Sequence, residues 1–228
     1  MVLKHKDILE PISKHYNVQP RFIIALWGLE TNFGMYLGKF HAPSALATLA
    51  FDGRRGEFFR KELFNALKII DEGHISANNM KSGWAGAIGQ AQFMPSSFLS
   101  YAQDWDDDGK KDLWGNEKDV FASIAFYLKS ADWKNDITWG RQVLLPEDKN
   151  FFKLAKNKKY LTLREWENLG VRNLDGSMLP KRNLSARLIT SETSKIAFLG
   201  YSNFDSILKW NRSIYFAASV GRLSDALR

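Results

Sequence analysis

The spacing of apolar residues changes near residue 137, and this change constrains the fold more than any other feature of the sequence. Before it, segments such as 55–73 carry apolar residues every three or four positions, which is typical of amphipathic helices. The segment 138–200 is instead richer in β-branched residues and turn signals, and a helical pattern then returns. We therefore predict an α+β fold, mainly helical, in which 1–137 and 201–228 form one domain and 138–200 form a small β-containing subdomain.

Prolines and glycines mark several predicted helix ends. Pro20 suits the first position of a helix that continues through an apolar run, and Gly34 is predicted to end that helix. Pro95 is predicted to precede another short helix. The clearest amphipathic helix ends at Gly73, and its apolar stripe is predicted to face the core. That stripe consists of Phe58, Phe59, Leu63, Phe64, Leu67, Ile69 and Ile70.

The chain of 228 residues has a formal net charge of +7 and contains no cysteine. A basic surface favours polyanions such as nucleic acid, acidic lipid or an acidic polysaccharide, although it also suits a solvated surface without a specific partner. Because no zinc-finger, RNP or basic-aromatic pattern is present, we predict no nucleic-acid partner. The missing cysteines exclude disulfides and thiolate chemistry, and no apolar run of about 18 residues predicts a transmembrane segment.

Glu30 is the only acidic residue in the stretch ALWGLETNFG, and almost all the residues from Phe22 to Leu29 are apolar. Burial beside such a run would raise the pKa of the carboxyl group, because desolvation disfavours the charged form. A carboxyl group that stays protonated near neutral pH can act as a general acid. The alternative is a glutamate at a helix end that points to solvent.

Aspartates alternate with other residues over 104–108, and a glycine follows, as in the first half of an EF-hand loop. The backbone carbonyl of Lys110 would supply the next oxygen. Gly115 stands where an EF-hand has its bidentate glutamate, so Glu117 or Asp119 would have to close the site. This pattern predicts a structural Ca²⁺ site, and a solvated acidic turn is the alternative.

The stretch GWAGAIGQAQF is rich in small residues but matches neither phosphate-loop pattern, so we predict no nucleotide and no organic cofactor. Gln90 and Gln92 offer amide groups that suit sugar hydroxyl and acetamido groups. A tightly packed junction between a helix and a loop would have the same composition. The scattered histidines do not predict a catalytic zinc site.

Five segments occur in a fixed order that resembles the membrane-bound lytic murein transglycosylase B family. They are GLETNFG, SALATLAFDGRRGEFF, GWAGAIGQAQFMPSSF, DWDDDGKKDLW and NFDSILKWNRSIYFAASVG. The resemblance extends from about residue 10 to the C-terminus. The first residues lack the apolar core of a signal peptide, so we expect any export signal to be removed or to lie outside this sequence.

The resemblance implies a lysozyme-like fold, a location in the bacterial periplasm or cell envelope, and a monomer that acts on peptidoglycan glycan strands. In this family the glutamate of the GLETNFG motif is the sole catalytic acid/base, which here is Glu30. The family's calcium loop matches Asp104, Asp106, Asp108, Lys110 and Asp119, with one extra residue before Asp119. The motifs imply substrate binding by Arg54, Arg55, Gln92, Tyr127 and Asn211. We add Ser82, Gln90, Trp210 and Tyr215 as further substrate-binding candidates.

Two positions depart from the family's pattern. The family commonly has a serine where Gly83 stands, and Ser82 precedes it here. A tyrosine that commonly follows the asparagine motif appears here as Phe216, with Tyr215 beside it.

The resemblance implies non-hydrolytic cleavage of the β-1,4 bond between N-acetylmuramic acid and N-acetylglucosamine, which leaves 1,6-anhydro ends. It also allows wall-remodelling proteins as partners. One alternative is a hydrolytic muramidase of the same fold, for which Asp52 is the nearest second acid in sequence. The other is a calcium-dependent wall-binding module without catalysis.

Overall fold

A computed structural model describes residues 1–147, 150–190 and 196–227. The chain forms two compact units, one from Met1–Ser130 together with the residues from Arg222 onward, and one from Ala131–Gly221. The predicted 138–200 subdomain lies within the second unit. None of the described helices combines the length and the apolar character that crossing a membrane requires.

Helices dominate the first unit. Two strands of two residues each, β1 (Phe40–His41) and β2 (Lys81–Ser82), pair antiparallel, and a short 3₁₀ turn covers Ala77–Asn79. The helices are α1 (Lys6–Tyr16), α2 (Pro20–Thr31), α3 (Ala42–Phe51), α4 (Gly56–Asp71), α5 (Pro95–Tyr101) and α6 (Glu117–Ser130).

Helix α2 is the central helix of this unit, because its residues from Phe22 to Trp27 are all buried. It contacts α1 and α6. Pro20 begins it, as predicted, where the missing N–H costs no helical hydrogen bond. The helix ends at Thr31 rather than at Gly34, because Asn32 and the next residue already have positive φ angles.

The predicted core stripe of α4 is only partly correct. Phe59 and Ile69 are buried, but Phe64 and Leu67 are 59% and 46% exposed. The predicted stripe is wider than the face that the neighbouring helices α3 and α5 cover, so its outer residues remain at the surface. The buried face also includes a charged residue, Glu62, which is 3% exposed.

An antiparallel sheet organises the second unit, with the strand order β4-β6-β7-β3-β5. Its strands are β3 (Gly140–Leu144), β4 (Tyr160–Thr162), β5 (Arg172–Asn173), β6 (Ser185–Ile189) and β7 (Ala197–Gly200). The helices α7 (Phe152–Lys156), α8 (Leu163–Asn168), α9 (Ser202–Trp210) and α10 (Ile214–Ala226) complete the chain.

Trp166 and its neighbours form the core beneath this sheet, where the Trp166 indole donates to the carbonyl of Ala186 at 2.9 Å. All five strands lie between residues 138 and 200, where the turn signals and β-branched residues occur. The predicted α+β class is confirmed.

Candidate active site

Glu30 lies in the last turn of α2 and is half-buried. The apolar residues up to Trp27 are buried, whereas Leu29 is 39% exposed. The carboxylate therefore leaves the helix at the edge of the core rather than inside it. A raised pKa for this group stays a prediction.

The chain turns sharply after Glu30. Asn32, Phe33 and Gly34 have φ angles of 50°, 60° and 80°, and this left-handed run ends the helix. The Phe33 ring folds back against the helix, with its centroid 5.6 Å from that of Trp27. A Cβ atom on Gly28 would lie 2.6 Å from the Phe33 ring, so the glycine of the WGLE sequence makes room for this ring.

Gln90 connects the end of α2 to a distant segment. Its Oε1 accepts a hydrogen bond from the indole of Trp27 at 2.7 Å, and its Nε2 donates to the carbonyl of Trp114 at 3.0 Å. The side chain is buried. A Cβ atom on Gly34 would lie 2.4 Å from Gln90 Oε1, which explains the glycine at this position. The structure therefore places the Gln90 amide against protein groups, and its predicted contact with sugar stays a prediction.

Gln92 lies in a tight turn with a φ angle of 47°, a conformation uncommon outside glycine. Its Nε2 donates to the carbonyl of Gly89 at 2.9 Å and lies 3.5 Å from the carbonyl of Leu37. The half-buried side chain is thus fixed between its own loop and the segment that follows α2. Its amide oxygen faces Gly83, where an added Cβ atom would lie 3.1 Å away.

Ser82 is fully buried in β2, and its hydroxyl lies 3.5 Å from the carbonyl of Phe40 in β1. Gly83, not Ser82, faces the amide of Gln92. The position that aligns with the family's serine therefore has no side chain here. A substrate contact by Ser82 stays a prediction.

Arg54 and Arg55 lie in the exposed turn between α3 and α4. The Arg55 guanidinium stacks over Phe58, 4.3 Å from the ring centroid. This contact orients one cation of the pair at the surface.

Tyr127 is half-buried on α6, with its ring centroid 4.6 Å from that of Tyr101 and 5.8 Å from that of Phe93. Burial, with the neighbouring Tyr101, raises the pKa of Tyr127 to about 12. The hydroxyl therefore stays protonated at neutral pH and can donate a hydrogen bond.

The three remaining substrate-binding candidates belong to the second unit. Trp210 ends α9, and Asn211 follows it, with its Oδ1 accepting the backbone N–H of Ser213 at 3.0 Å. Tyr215, in the first turn of α10, is 84% exposed.

The acidic loop brings three of the five predicted metal ligands together. Carboxylate oxygens of Asp104, Asp106 and Asp108 lie within 4.8 Å of one another. Backbone N–H groups of the loop, such as that of Gly109 at 2.9 Å from Asp104 Oδ2, hold the side chains in place. Converging carboxylate oxygens fit a hard divalent cation such as Ca²⁺.

Asp119 lies at the start of α6 and is fully buried. Its two carboxylate oxygens accept the backbone N–H groups of Trp105 and Asp112, each at 2.8 Å. Burial raises the pKa of Asp119 to about 6, although these two hydrogen bonds oppose the shift. Asp119 therefore connects the two ends of the acidic loop to α6.

Sequence reasoning missed two buried polar residues of the first unit. Thr31 donates its hydroxyl to the backbone carbonyl of Gln90 at 3.0 Å, and Glu62 binds Ser96. The position of Thr31 beside Glu30 was a usable signal. The burial of Glu62 had one too, because Glu62 lies three residues after Phe59 and seven before Ile69, on the apolar face of α4.

The family described as Transglycosylase SLT domain matches residues 1–225. Membrane-bound lytic murein transglycosylase B of Escherichia coli K12 is 31% identical over 227 residues, which are 98% of this chain and 61% of that protein.

Two solved structures of lytic transglycosylases are also similar to this chain. SltB3 of Pseudomonas aeruginosa, in complex with NAG-anhNAM-pentapeptide, is 39% identical with a TM-score of 0.94, over 99% of this chain and 60% of that one. The lytic transglycosylase Slt35 of Escherichia coli, in complex with calcium, is 29% identical with a TM-score of 0.83, over 99% of this chain and 71% of that one.

The chain spans about three fifths of the length of the first two relatives. Similarity to these structures confirms the predicted lysozyme-like fold. The ordered motifs and the match over nearly the whole chain lead to one conclusion: this chain belongs to the Transglycosylase SLT domain family.

Proposed function

We propose that this chain is a lytic transglycosylase that cleaves the β-1,4 bond between N-acetylmuramic acid and N-acetylglucosamine in peptidoglycan. The observation that carries this proposal is the placement of Glu30, a half-buried carboxylate in the last turn of α2 at the edge of the core. The NAG-anhNAM-pentapeptide bound by the relative SltB3 is the kind of anhydro product that this reaction forms.

Glu30 acts twice in the proposed reaction. It first donates its proton to the glycosidic oxygen, so that the bond from this oxygen to C1 of the muramoyl residue breaks. The resulting carboxylate then accepts the proton of the muramoyl 6-hydroxyl, whose oxygen forms the new bond to C1. The product is a 1,6-anhydromuramoyl end, and Glu30 regains its proton without the second carboxylate that paired-acid glycosidases require.

Polar and cationic side chains of the first unit are proposed to bind the glycan and its anionic groups. The exposed Arg54 and Arg55 suit the carboxylates of lactyl groups and peptides, because guanidinium groups bind carboxylates in bidentate fashion. Gln92 and Tyr127 offer an amide and a protonated hydroxyl to sugar oxygens. The proposed contributions of Ser82, and of Trp210, Asn211 and Tyr215 from the second unit, rest on the family resemblance.

Ca²⁺ is the proposed occupant of the acidic loop. Asp104, Asp106, Asp108 and the carbonyl of Lys110 would hold it, with Asp119 closing the site, since a carboxylate oxygen that accepts one N–H keeps a lone pair for a cation. The ion would neutralise the converging carboxylates and stabilise the loop. The complex of the relative Slt35 with calcium supports this assignment.

We place the protein in the bacterial periplasm or cell envelope, because peptidoglycan is found there. Glycan strands are the proposed partner, and wall-remodelling proteins are further candidates. A monomer is sufficient for the proposed chemistry, which uses a single acid.

Mass spectrometry of purified sacculi after digestion tests the proposal. We expect fragments with 1,6-anhydro ends, which are lighter by one water than the products of hydrolysis. Products with only reducing ends would identify a hydrolytic muramidase instead.

The Glu30→Gln variant tests the role of the acid. It should bind sacculi as the wild type does but release no fragments, because the amide cannot donate or accept the required proton. A variant that still lysed sacculi would contradict this role. Wild-type protein that binds sacculi without releasing fragments would identify a wall-binding module.

A further inference from the structure

We propose that Gln90 is a positioning residue that fixes the last turn of α2, and with it Glu30, against the segment 113–114. This inference rests on the proposed function, in which Glu30 is the acid/base. It differs from the sequence-based expectation that Gln90 binds sugar.

Glu30 occupies the last turn of α2, where the helix supplies fewer hydrogen bonds than in its interior. The last carbonyl groups of a helix have no partners within it, and helix ends fray as a result. The left-handed turn that follows leads the chain away from the helix axis at once. Tertiary contacts that hold the last turn therefore help to fix the position of this carboxylate.

Gln90 makes such contacts on both sides of Glu30. The indole N–H of Trp27, three residues before Glu30, donates to Gln90 Oε1 at 2.7 Å. The hydroxyl of Thr31, the next residue after Glu30, donates to the Gln90 backbone carbonyl at 3.0 Å. Thr31 Oγ1 also accepts the N–H of Gly34 at 3.1 Å, which ties the turn to the same point.

The other two polar groups of Gln90 bind a different segment. Its backbone N–H donates to the carbonyl of Leu113 at 2.7 Å, and its side-chain Nε2 donates to the carbonyl of Trp114 at 3.0 Å. The Asp112 carboxylate in turn accepts the N–H of Trp114 at 2.8 Å. Gln90 is thus bonded to α2 on one side and to 113–114 on the other.

Gln90 is only 7% exposed, and each of its four polar groups has a protein partner. Buried hydrogen bonds of this kind define one arrangement, because an alternative would leave polar groups unsatisfied. A glutamine side chain supplies both the acceptor for Trp27 and the donor for Trp114, which no charged or apolar residue of similar length does.

Two substitutions at Gln90 and a matched pair at Thr31 test the proposal. Gln90→Met keeps the side-chain length but removes both amide hydrogen bonds, and Gln90→Glu keeps the acceptor but loses the donor. Thr31→Val removes the hydroxyl at constant shape, whereas Thr31→Ser retains it. Glu62→Gln, which weakens the hydrogen bonds between α4 and α5, serves as a control for a general loss of stability.

Initial rates on soluble peptidoglycan oligomers should separate kcat from KM. We expect Gln90→Met and Thr31→Val to lower kcat about 10- to 100-fold with little change in KM, because a small displacement of an acid/base costs that much. Thr31→Ser should restore most of the rate, and Glu62→Gln should retain kcat at temperatures where it is folded. In NMR spectra, the Trp27 indole proton should shift upfield and exchange faster in Gln90→Met.

An unchanged kcat in folded Gln90→Met would overturn the proposal. An increase confined to KM would also overturn it and would indicate that Gln90 binds substrate instead. Equal losses in Thr31→Val and Thr31→Ser would also overturn it. Reducing-end products from the wild type would refute the transglycosylase assignment but not the positioning role, because the same rate comparison applies to any cleavage that Glu30 catalyses.

Discussion

The buried carboxylate of Glu62 on α4 accepts two hydrogen bonds from Ser96 on α5, one from the backbone N–H at 2.8 Å and one from the hydroxyl at 2.6 Å. Ser96 is in the first turn of α5, where backbone N–H groups have no helical partner. The Glu62 carboxylate on α4 therefore caps the N-terminus of α5.

Removal of this carboxylate should destabilise the protein. We expect Glu62→Ala to lower the free energy of unfolding by about 1.5–3 kcal/mol, because it leaves buried donors without a charged acceptor. Urea denaturation measures the change. Glu10→Ala, which removes an exposed glutamate of α1, should change stability by less than about 0.5 kcal/mol. Equal effects of the two variants would contradict the capping role.

Two glycines with the same backbone conformation should respond differently to alanine. Gly34 and Gly53 have φ angles of 80° and 82°, so both substitutions carry a similar backbone strain. Only at Gly34 does the new Cβ atom meet another group, the amide of Gln90. We expect Gly34→Ala to cost about 1–3 kcal/mol more than Gly53→Ala in chemical denaturation. Similar losses would show that the Gln90 amide can move aside.

Calcium should stabilise the wild type more than a variant that lacks a central ligand. Because a ligand that binds only the native state adds about 2.7 kcal/mol at a concentration 100 times its Kd, the melting temperature should rise clearly over that in chelator. Asp106→Asn should reduce this rise, and Asp107→Asn, a neighbour outside the convergent group, should retain it. A wild-type melting temperature that is the same in calcium and in chelator would exclude the proposed site.

His74 should make stability depend on pH. Burial, assisted by the positive charge of Lys111, holds the pKa of His74 below its usual value, and its Nδ1 accepts the backbone N–H of Lys111 at 3.2 Å. As the pH falls, His74 in the unfolded chain therefore binds a proton at a higher pH than His74 in the native state. The stabilising contribution of His74 is present above the unfolded pKa of about 6.5 and is lost as pH falls toward the folded value.

The variant His74→Asn isolates this contribution. Its Oδ1 can accept the same N–H but does not titrate, so its stability relative to the wild type should improve as pH decreases from about 7.5 to 5.5. Urea midpoints across this range measure the difference. Parallel curves for the two proteins would rule out His74 as the source of the pH dependence.

Local patterns predicted much of the fold. Pro20 begins α2 because a proline at the first helical position loses no hydrogen bond, and the strands appear where turn signals and β-branched residues are concentrated. Helix α2 ends earlier than the predicted stop at Gly34, because Asn32 already has a left-handed conformation and the Phe33 ring packs back onto Gly28. The apolar stripe of α4 was too wide, because only contacts with α3 and α5 decide which side is covered.

Residue types at short or ordered separations were enough to predict the family, the candidate acid Glu30 and the acidic loop. The protein partners of the Gln90 amide and the burial of Ser82 became known only from the folded structure. An amide or a hydroxyl suits both sugar and protein partners. For Gln90 the partners are protein groups of Trp27 and Trp114. These residues lie 63 and 24 positions away along the chain and become neighbours only when the first unit folds.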